Sequence, residues 1–426
     1  MTHVPFLIGG FAAALLVAFL YLTVAANAEA NHQDRVMSLP PIGTSLETFL
    51  RTLHGAAGER VSAGNAVELY QNGDEIFPPM LKAIRESRST IHLSTYVYWA
   101  GAVPVEFAAA LSEAAHRGVV VRVVLDSEGT EPMPKGLVKE MRAAGCHVSL
   151  FREMRWFDWM KYNHRTHRRL LIVDGTIGFT GGVGIADEWS GHAQGPEHWR
   201  DTHVRVTGPI VASLQGAFTD NWNQCTEELL LDERDFPVLE PTGDIRVCAV
   251  VSTPANGASE AQRVMAACIA GATRTLCVSN AYFVPTVAFV DALCAAKERG
   301  VDVRIMVPGP YHDQKIVQRA SRHAWPRLLE CGVSIHEFQP TMMHAKTLVA
   351  DGELLLVGSI NFDPRSFALN AEFGVVIVDR ALAAQAERVF ETDLLRCKRV
   401  ELTQVSARGL LTRCIDATCY WARAQL

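Results

Sequence analysis

Two histidines in closely similar sequence contexts are the residues best suited to do chemistry in this chain. Each is followed two positions later by a basic residue and seven positions later by an aspartate: His167, Arg169 and Asp174 in the first copy, and His344, Lys346 and Asp351 in the second. The offset is constant, because 344 minus 167, 346 minus 169 and 351 minus 174 all give 177. Alternate side chains of an extended strand share one face, so each histidine should point the same way as its basic partner.

Two imidazoles and two cations around one anion suit exchange at a phosphodiester. One imidazole nitrogen can attack phosphorus and form a phosphohistidine, which divides one difficult displacement into two easier steps. The second imidazole can protonate the departing alkoxide and later accept a proton from the incoming alcohol. The two cations, with Ser359 and Asn361, can neutralise the non-bridging oxygens without a metal or another cofactor. The spacing alone does not tell which histidine is the nucleophile.

Small residues follow each copy of the motif and indicate that the backbone approaches a ligand closely. Asp-Gly pairs at 174–175 and 351–352 predict tight turns at the ends of the apolar runs. Seven residues beyond each aspartate stand Gly181-Gly182 in the first copy and Gly358-Ser359 in the second. We therefore predict four substrate-binding residues: Gly182, Ser359, Asn361 and Glu372.

The elements that must position these residues alternate between short β-branched runs and helical patterns. Residues 90–99 and 119–126 are predicted as strands, with a helix over residues 105–117 between them. The same order returns, since residues 275–284 resemble 90–99 and GVDVRIMVPG from Gly300 resembles GVVVRVVLDS from Gly118. The pattern predicts an α/β protein of two similar halves, each a mostly parallel or mixed sheet flanked by helices, with the site at their interface.

The N-terminal residues predict a transmembrane helix. Residues 4–26 carry no charge and are almost wholly apolar, and a helix of this length can cross a hydrocarbon layer of about 30 Å. A cleaved signal peptide is the alternative, because Ala26-Asn27-Ala28 resembles a cleavage site, although the apolar run is long and no basic residue precedes it. We divide the chain into an anchor (1–30), a linker (31–62), a first half (63–238), a second half (239–400) and a helical tail (401–426).

Composition limits the function class and the compartment. A formal net charge of −6 argues against a nucleic-acid partner, because duplex binding normally needs a basic surface. The ten cysteines form no C-x-x-C pair and mostly stand in apolar runs. This pattern indicates buried, reduced thiols, and it favours a catalytic portion on the cytoplasmic side of the inner membrane.

Three further segments carry expectations of their own. Residues 151–168 interleave aromatic and basic side chains, which suits a membrane interface with anionic lipid, a loop over the site, or both. Trp199-Arg200-Asp201 and Trp222 are interpreted as packing and turn residues rather than catalytic ones. The tail is predicted to be a helix whose apolar side chains pack on the core, with membrane contact as the alternative: Leu410, Leu411, Cys414, Ile415 and Trp421.

The duplicated motif resembles that of the phospholipase D superfamily, and the match extends from about residue 65 to 400. The sequence is most similar to bacterial cardiolipin synthases in RRLLIVDGTIGFTGG, NAYFVPT and MMHAKTLVADGELLLVGSINFDPRSFALNAEFGV. The resemblance implies an enzyme that joins two phosphatidylglycerols into cardiolipin and glycerol. Together with the predicted anchor, we interpret the chain as a membrane-anchored monomer whose partner is this anionic phospholipid. It also implies that His167 is the nucleophile and His344 the general acid.

The first motif departs from the family pattern at two positions. Arg169 stands where the family has Lys, and Gly184 where it usually has Asn. Arg keeps the charge, but its planar guanidinium is larger than an ammonium group. Three alternative functions therefore stay open: a phospholipase D that releases phosphatidic acid, a nuclease of the same superfamily, and a lipid-binding protein without turnover.

Overall fold

The computed structural model describes residues 17, 20, 21, 24, 46–153, 163–254 and 259–425. The predicted anchor at 4–26 lies outside this part of the chain except for four positions. Across the described residues, no helix has both the length and the apolar character needed to cross a membrane. Nine residues of the aromatic and basic segment, 154–162, also lie outside the described residues.

Helices and strands alternate along most of the described chain. Helix α1 (Leu46–Ala57) lies in the segment predicted as a linker and packs in the core of the second half. The first half then contains β1 (Ser62–Gln71), α2 (Asn72–Glu86), β2 (Thr90–Thr95), α3 (Ala102–His116), β3 (Val120–Asp126), α4 (Lys135–Ala143), β4 (His147–Phe151), β5 (Leu170–Val173), β6 (Ile177–Gly181), β7 (Thr202–Thr207) and α5 (Val211–Thr226). In the second half they are β8 (Ile245–Ser252), α6 (Glu260–Gly271), β9 (Thr275–Asn280), α7 (Val287–Glu298), β10 (Asp302–Pro308), α8 (Lys315–Glu330), β11 (Ser334–Phe338), β12 (Lys346–Ala350), β13 (Leu354–Gly358), α9 (Pro364–Ala368), β14 (Glu372–Val378), α10 (Arg380–Leu394), β15 (Cys397–Arg399), α11 (Leu402–Ser406) and α12 (Leu410–Trp421). Short 3₁₀ helices cover Asp187–Trp189 and Arg423–Gln425.

The strands form one continuous sheet with an internal repeat. Their order is β15-β11-β10-β9-β12-β13-β14-β8-β1-β7-β6-β5-β2-β3-β4. Read outward from the centre, β8-β14-β13-β12-β9-β10-β11 in one half matches β1-β7-β6-β5-β2-β3-β4 in the other. The prediction of two similar α/β halves is confirmed, and the halves join where β1 pairs antiparallel with β8.

The sheet is mixed, which is one of the two arrangements predicted, and antiparallel pairs outnumber parallel ones in it. Parallel pairing is confined to β2, β3 and β4 in one half and to β9, β10 and β11 in the other. The predicted Asp-Gly turns explain the difference, because they connect β5 to β6 and β12 to β13 as hairpins. A hairpin forces its two strands to be antiparallel, whereas parallel neighbours need a crossover helix.

A shared apolar core joins the two halves. Val204, Leu214 and Phe218 from the first half lie in the same buried cluster as Val375 and Phe390 from the second. Buried side chains of this kind each contribute about 1.5–3 kcal/mol relative to exposure, so the cluster favours one fixed arrangement of the halves. Trp222 lies in this cluster, which agrees with its interpretation as a packing residue.

One cysteine pair corrects the expectation of reduced thiols. Cys294 of α7 and Cys331, just after α8, form a disulfide, and the other eight cysteines are free. The two residues are 37 positions apart, so their proximity depends on how α7 and α8 pack and is not visible in the sequence spacing. The assignment of the catalytic portion to the cytoplasm therefore loses the observation on which it depended.

Candidate active site

Each motif histidine precedes its strand and is held by the other half of the molecule. His167 and His344 lie in extended chain before β5 and β12 rather than within those strands. The amide of His167 donates to the carbonyl of Ala371 at 2.8 Å, and the amide of His344 donates to the carbonyl of Arg200 at 2.7 Å. Pairing across the halves brings the two histidines to one place although they are 177 positions apart.

One pocket of about 720 Å³ contains both histidines. Arg169 and Asn361 line it as predicted, and Tyr96, Trp99, Trp189, Trp199 and Tyr282 form much of its remaining wall. The strand predicted over residues 90–99 ends earlier, because β2 ends at residue 95. Tyr96 and Trp99 follow it and line the pocket. The wall is therefore built where strands end, the usual position of sites in α/β folds.

His344 is oriented by a carboxylate from the first half. Its Nδ1 lies 2.7 Å from Oδ2 of Asp201, whose carboxylate also accepts hydrogen bonds from Nε1 of Trp189 and from the amide of Thr202, each at 2.8 Å. Burial opposes ionisation of Asp201, but His344 and the cations Lys346 and Arg169 keep the pKa of its carboxyl below the usual value. The interpretation of Asp201 as a packing residue is therefore incomplete: this residue orients one of the two predicted catalytic groups.

His167 has an equivalent acidic neighbour from the second half. Its Nδ1 lies 3.4 Å from Oε1 of Glu372, a fully buried carboxylate. Glu372 accepts hydrogen bonds from the hydroxyls of Ser359 and Ser366. Glu372 and Ser359, which were predicted to bind substrate, are not among the residues that line the pocket. Glu372 lies beside His167 instead, and the hydroxyl of Ser359 holds its carboxylate in place.

The two basic residues of the motifs are buried beside the histidines. Nζ of Lys346 lies 2.9 Å from both ring nitrogens of His344. Burial and the nearby charge of Arg169 lower the pKa of Lys346 to about 7. Burial and the charge of Lys346 lower the pKa of His344 to about 3, so this imidazole is neutral in the free enzyme at pH 7. Arg169 donates from Nη1 to the carbonyl of Gly182, and burial lowers the pKa of its guanidinium.

The aspartates of the motifs do not reach the pocket. Carboxylate oxygens of Asp174 accept hydrogen bonds from the amides of residues 88, 89 and 90, where β2 begins, at 2.7–3.1 Å. Asp351 accepts equivalent bonds from the amides of residues 273, 274 and 275 at the start of β9. Since each aspartate stands beyond the far end of its motif strand, the structure corrects their prediction as catalytic side chains. They fix the strands that carry the histidines.

These aspartates also form the turns that were predicted. Asp174 and Gly175 have φ of 52° and 63°, and Asp351 and Gly352 have φ of 58° and 62°. Positive φ at both central positions is the geometry of the type I′ hairpin turn, which Asp-Gly pairs favour.

The glycines of the first motif make room for neighbouring side chains of the first half. A Cβ at Gly182 would lie 2.0 Å from Oδ1 of Asp201, and one at Gly184 would lie 2.6 Å from Cβ of Val97 and 3.0 Å from the Trp189 ring. Gly182 therefore lies against Asp201 rather than among the residues that line the pocket. The equivalent of Gly184 in the second half, Asn361, does line the pocket, and its buried Oδ1 has no hydrogen-bond partner among the described residues.

Aromatic rings enclose the His344 side of the pocket. Trp189 and Trp199 lie 5.0 Å and 5.4 Å from the imidazole of His344, and their ring centroids are 4.5 Å apart. On the other side, the Tyr96 ring is 4.2 Å from that of His167. Large apolar faces beside a reacting centre limit the access of bulk water.

Two halves that contribute equivalent histidines to one pocket, with a buried basic residue beside them, define a phosphodiester-transferring enzyme of the phospholipase D type. The family model described as "Cardiolipin synthase, PLD-like domain" matches residues 80–193 and 265–394, which include both motifs. The chain belongs to this family.

Curated relatives agree with the family match. The chain is 33% identical over 353 residues to the major cardiolipin synthase of Bacillus subtilis (strain 168), covering 82% of this chain and 73% of that protein. It is 30% identical over 413 residues to cardiolipin synthase A of Pseudomonas putida (strain GB-1), covering 94% of this chain and 84% of that protein.

Solved structures support the fold. A phosphatidylserine synthase from Haemophilus influenzae Rd KW20 matches with a TM-score of 0.63 at 13% identity, covering 87% of this chain and 96% of that one. At this identity the likeness supports the two-half architecture and says nothing about the substrate.

Proposed function

We propose that this protein is a phosphatidyltransferase that joins two phosphatidylglycerols into cardiolipin and releases glycerol. The observation that carries the proposal is the crossed arrangement of the site, in which each half places its histidine beside a carboxylate of the other half. Two acid–histidine pairs around one pocket provide both a nucleophile and a proton donor. The names of the curated relatives support cardiolipin as the product.

In the first step, His167 attacks the phosphorus of one phosphatidylglycerol. Its side chain is 12% exposed, against 5% for His344, so it has the better access to a substrate in the pocket. The bond from phosphorus to the glycerol oxygen breaks as the bond from His167 to phosphorus forms. Arg169 and Lys346 supply positive charge for the non-bridging oxygens, a role that pre-positioned cations fill well.

His344 supplies the proton that the departing glycerol oxygen needs. Burial keeps the pKa of His344 at about 3 in the free enzyme. A bound phosphodiester brings negative charge next to the ring and favours its protonated form, with Asp201 stabilising the imidazolium. In the second step neutral His344 accepts the proton of the incoming hydroxyl, whose oxygen attacks phosphorus, and His167 leaves.

The aromatic wall supports an alcohol rather than water as the acceptor. Trp99, Trp189 and Trp199 cluster with centroid distances of 4.5–6.0 Å beside His344. Their faces can pack against the carbon skeleton of a glycerol head group and displace water from the phosphohistidine. The proposed partner is thus a second anionic phospholipid, reached by a monomeric enzyme that residues 4–26 anchor in the inner membrane. The uncharged, apolar composition of that segment supports the anchor.

Trapping the covalent intermediate tests the assignment of the two histidines. The His344→Ala variant would be incubated with phosphatidylglycerol, quenched rapidly, digested and analysed for phosphohistidine by mass spectrometry. We expect an adduct on residue 167 of this variant, because its resolution lacks a general base, and we expect it to form more slowly than in the wild-type protein, because its formation lacks the general acid. No adduct is expected in His167→Ala. An adduct on residue 344 of the wild-type protein would reverse the roles, and product formation by His167→Ala would overturn the mechanism.

A further inference from the structure

The C-terminal helix α12 turns large apolar side chains toward solvent. Leu410 is 77% exposed, Leu411 75%, Ile415 42% and Trp421 40%. At 100° per residue these four positions lie on one side of the helix. The helix itself was predicted from the sequence, but its apolar residues do not pack on the core, and this expectation is corrected here. We call these four residues the α12 face.

The opposite side of α12 packs on the protein through polar groups and through Cys419 and Tyr420, which contact a small apolar cluster of Val284, Val317 and Ala320. Asp416 is buried, and its carboxylate pairs with Arg319 at 3.3 Å and with Arg408 at 2.7 Å. The ring of Tyr420 stacks on His323 of α8 at a centroid distance of 4.5 Å. An ordinary surface helix turns its largest apolar side chains inward, whereas α12 turns most of them outward and buries the charged Asp416 instead. The inversion indicates that the α12 face meets an apolar medium.

The end of α12 is tied to the mouth of the pocket. Tyr420 donates a hydrogen bond from its hydroxyl to the carbonyl of Pro285 at 3.0 Å. Gln425 lines the pocket, and its carbonyl accepts a hydrogen bond from Arg365, another lining residue, at 3.4 Å. Ile316 at the start of α8 also lines the pocket and is 44% exposed. The C-terminal end of α12 therefore lies beside the pocket, whose rim also carries an exposed apolar residue.

The charge around α12 fits an anionic partner. Between residues 396 and 426 the sequence has six basic residues (396, 398, 399, 408, 413 and 423) and two acidic ones (401 and 416), in a chain whose net charge is −6. Arg423 is buried and Arg408 pairs with Asp416, so the exposed basic residues of this stretch are Lys398, Arg399 and Arg413. Arg413 is exposed on the helix that carries the α12 face. Basic residues beside an outward apolar helix face are typical of helices that lie in the interface of an anionic bilayer.

We propose that α12 is an interfacial helix that docks on an anionic phospholipid bilayer and holds the pocket mouth against the lipid head groups. The inference rests on the proposed function in one respect, namely that the substrate is itself a bilayer lipid. It assigns the protein a second membrane contact, at the opposite end of the sequence from residues 4–26.

A fluorescence measurement tests the docking without depending on activity. Cys414 is exposed on the same side of α12 as the α12 face, so an environment-sensitive thiol fluorophore on it reports burial in lipid. We expect brighter, blue-shifted emission when the full-length labelled protein meets vesicles that contain phosphatidylglycerol, and little change with phosphatidylcholine alone. The matched control carries the fluorophore on Leu231→Cys in a Cys414→Ser background. Leu231 is 79% exposed in the segment that contacts the Gly175 turn, remote from the pocket.

An activity measurement separates docking from chemistry. A triple variant, Leu410→Ser, Leu411→Ser and Ile415→Ser, should lose about tenfold or more in kcat/KM on phosphatidylglycerol vesicles, equivalent to about 1.4 kcal/mol of membrane binding. The same variant should keep wild-type activity on dispersed short-chain phosphatidylglycerol. A Leu229→Ser, Leu231→Ser control, which removes similarly exposed apolar groups, should match wild type on both substrates.

The outcomes distinguish failure of the docking from failure of the proposed function. If the wild-type protein makes no product from either substrate, the proposed function fails, and the fluorophore on Cys414 alone decides the docking. An emission spectrum that stays unchanged when anionic vesicles are added overturns the proposed docking of α12. An equal loss of activity on both substrates would assign the α12 face to folding. A shift from dimer to monomer in the triple variant would assign it to a second copy of the chain, and both results contradict membrane docking.

Discussion

Replacing Asp201 by Asn is the perturbation whose effect the site geometry defines best. Asp201 is fully buried, and its two oxygens accept hydrogen bonds from three donors: Nδ1 of His344 at 2.7 Å, Nε1 of Trp189 at 2.8 Å and the amide of Thr202 at 2.8 Å. The amide side chain of the variant has only one oxygen. In either orientation of that side chain, its NH₂ group therefore faces at least one donor.

Two magnitudes follow from this geometry. A buried donor that loses its acceptor costs about 1–3 kcal/mol, and this is the expected fall in the free energy of unfolding. The catalytic loss should be larger, because His344 loses the carboxylate that fixes its tautomer and stabilises its protonated form. A positioned acid or base contributes roughly 10²–10⁴-fold, so kcat/KM for cardiolipin formation should fall within that range.

A nearby carboxylate provides the matched control. Asp393 is buried and lies 2.7 Å from Nε of Arg200, the residue before Asp201, and its ion pair is with that arginine rather than with either histidine. Asp393→Asn should destabilise the protein to a similar degree and leave kcat/KM near the wild-type value. The assay is cardiolipin formation under initial-rate conditions, with urea denaturation of both variants. Activity of Asp201→Asn close to that of Asp393→Asn would refute the orienting role of Asp201.

Substitutions at three further positions have defined outcomes. Gly184→Asn restores the residue usual in the family. It should destabilise the protein by about 1–3 kcal/mol, because the Cβ of the asparagine would lie 2.6 Å from Val97, and it should not increase activity. Thermal denaturation checks the stability, and initial rates check the activity. Arg169→Lys should keep kcat/KM within about tenfold of wild type, whereas Arg169→Ala should lose about 10²-fold or more, because the site needs the positive charge and not the shape of the guanidinium. Equal losses of kcat/KM in the two variants would contradict the need for charge. The pKa of Lys346 is lowered to about 7, so kcat/KM should fall as pH rises through that value and the cation is lost. For the same reason, the stability of the wild type should rise between about pH 7 and 10.5, because the unfolded lysine keeps its proton over that window. Lys346→Met should be inactive. Its free energy of unfolding should exceed that of the wild type below pH 7, and the difference should shrink toward pH 10. If urea denaturation gave the same difference in free energy of unfolding at every pH, Lys346 would be excluded as the titrating group.

The repeat made much of the architecture predictable. A constant offset between two motifs implies two similar halves, and apolar runs that end in Asp-Gly imply hairpins, which the structure confirms at Asp174 and Asp351. The choice between a mostly parallel and a mixed sheet stayed open in the sequence because β-branched runs look alike in parallel and antiparallel strands; the hairpin turns decide it. The Cys294–Cys331 disulfide was missed because it depends on how two helices pack.

The site was only partly predictable for a similar reason. The two histidines and their basic partners carry a spacing signal, so the sequence locates them. Asp201 carries none: it lies 143 positions from His344 and reaches that residue only because Arg200 pairs with the chain before β12. The duplication does relate Asp201 to Glu372. Glu372 begins β14, and Asp201 directly precedes β7, which is the strand equivalent to β14 in the first half. Aligning the two halves strand by strand rather than by motif would have found it.

Product analysis tests most directly whether this protein makes cardiolipin from phosphatidylglycerol. Purified protein in detergent or vesicles would be incubated with phosphatidylglycerol, and the lipids analysed by mass spectrometry beside a His344→Ala control. Cardiolipin and glycerol in the wild-type reaction, absent from the control, are the predicted result. Phosphatidic acid as the sole lipid product would instead identify a hydrolase, and no product from phosphatidylglycerol would contradict the proposed function.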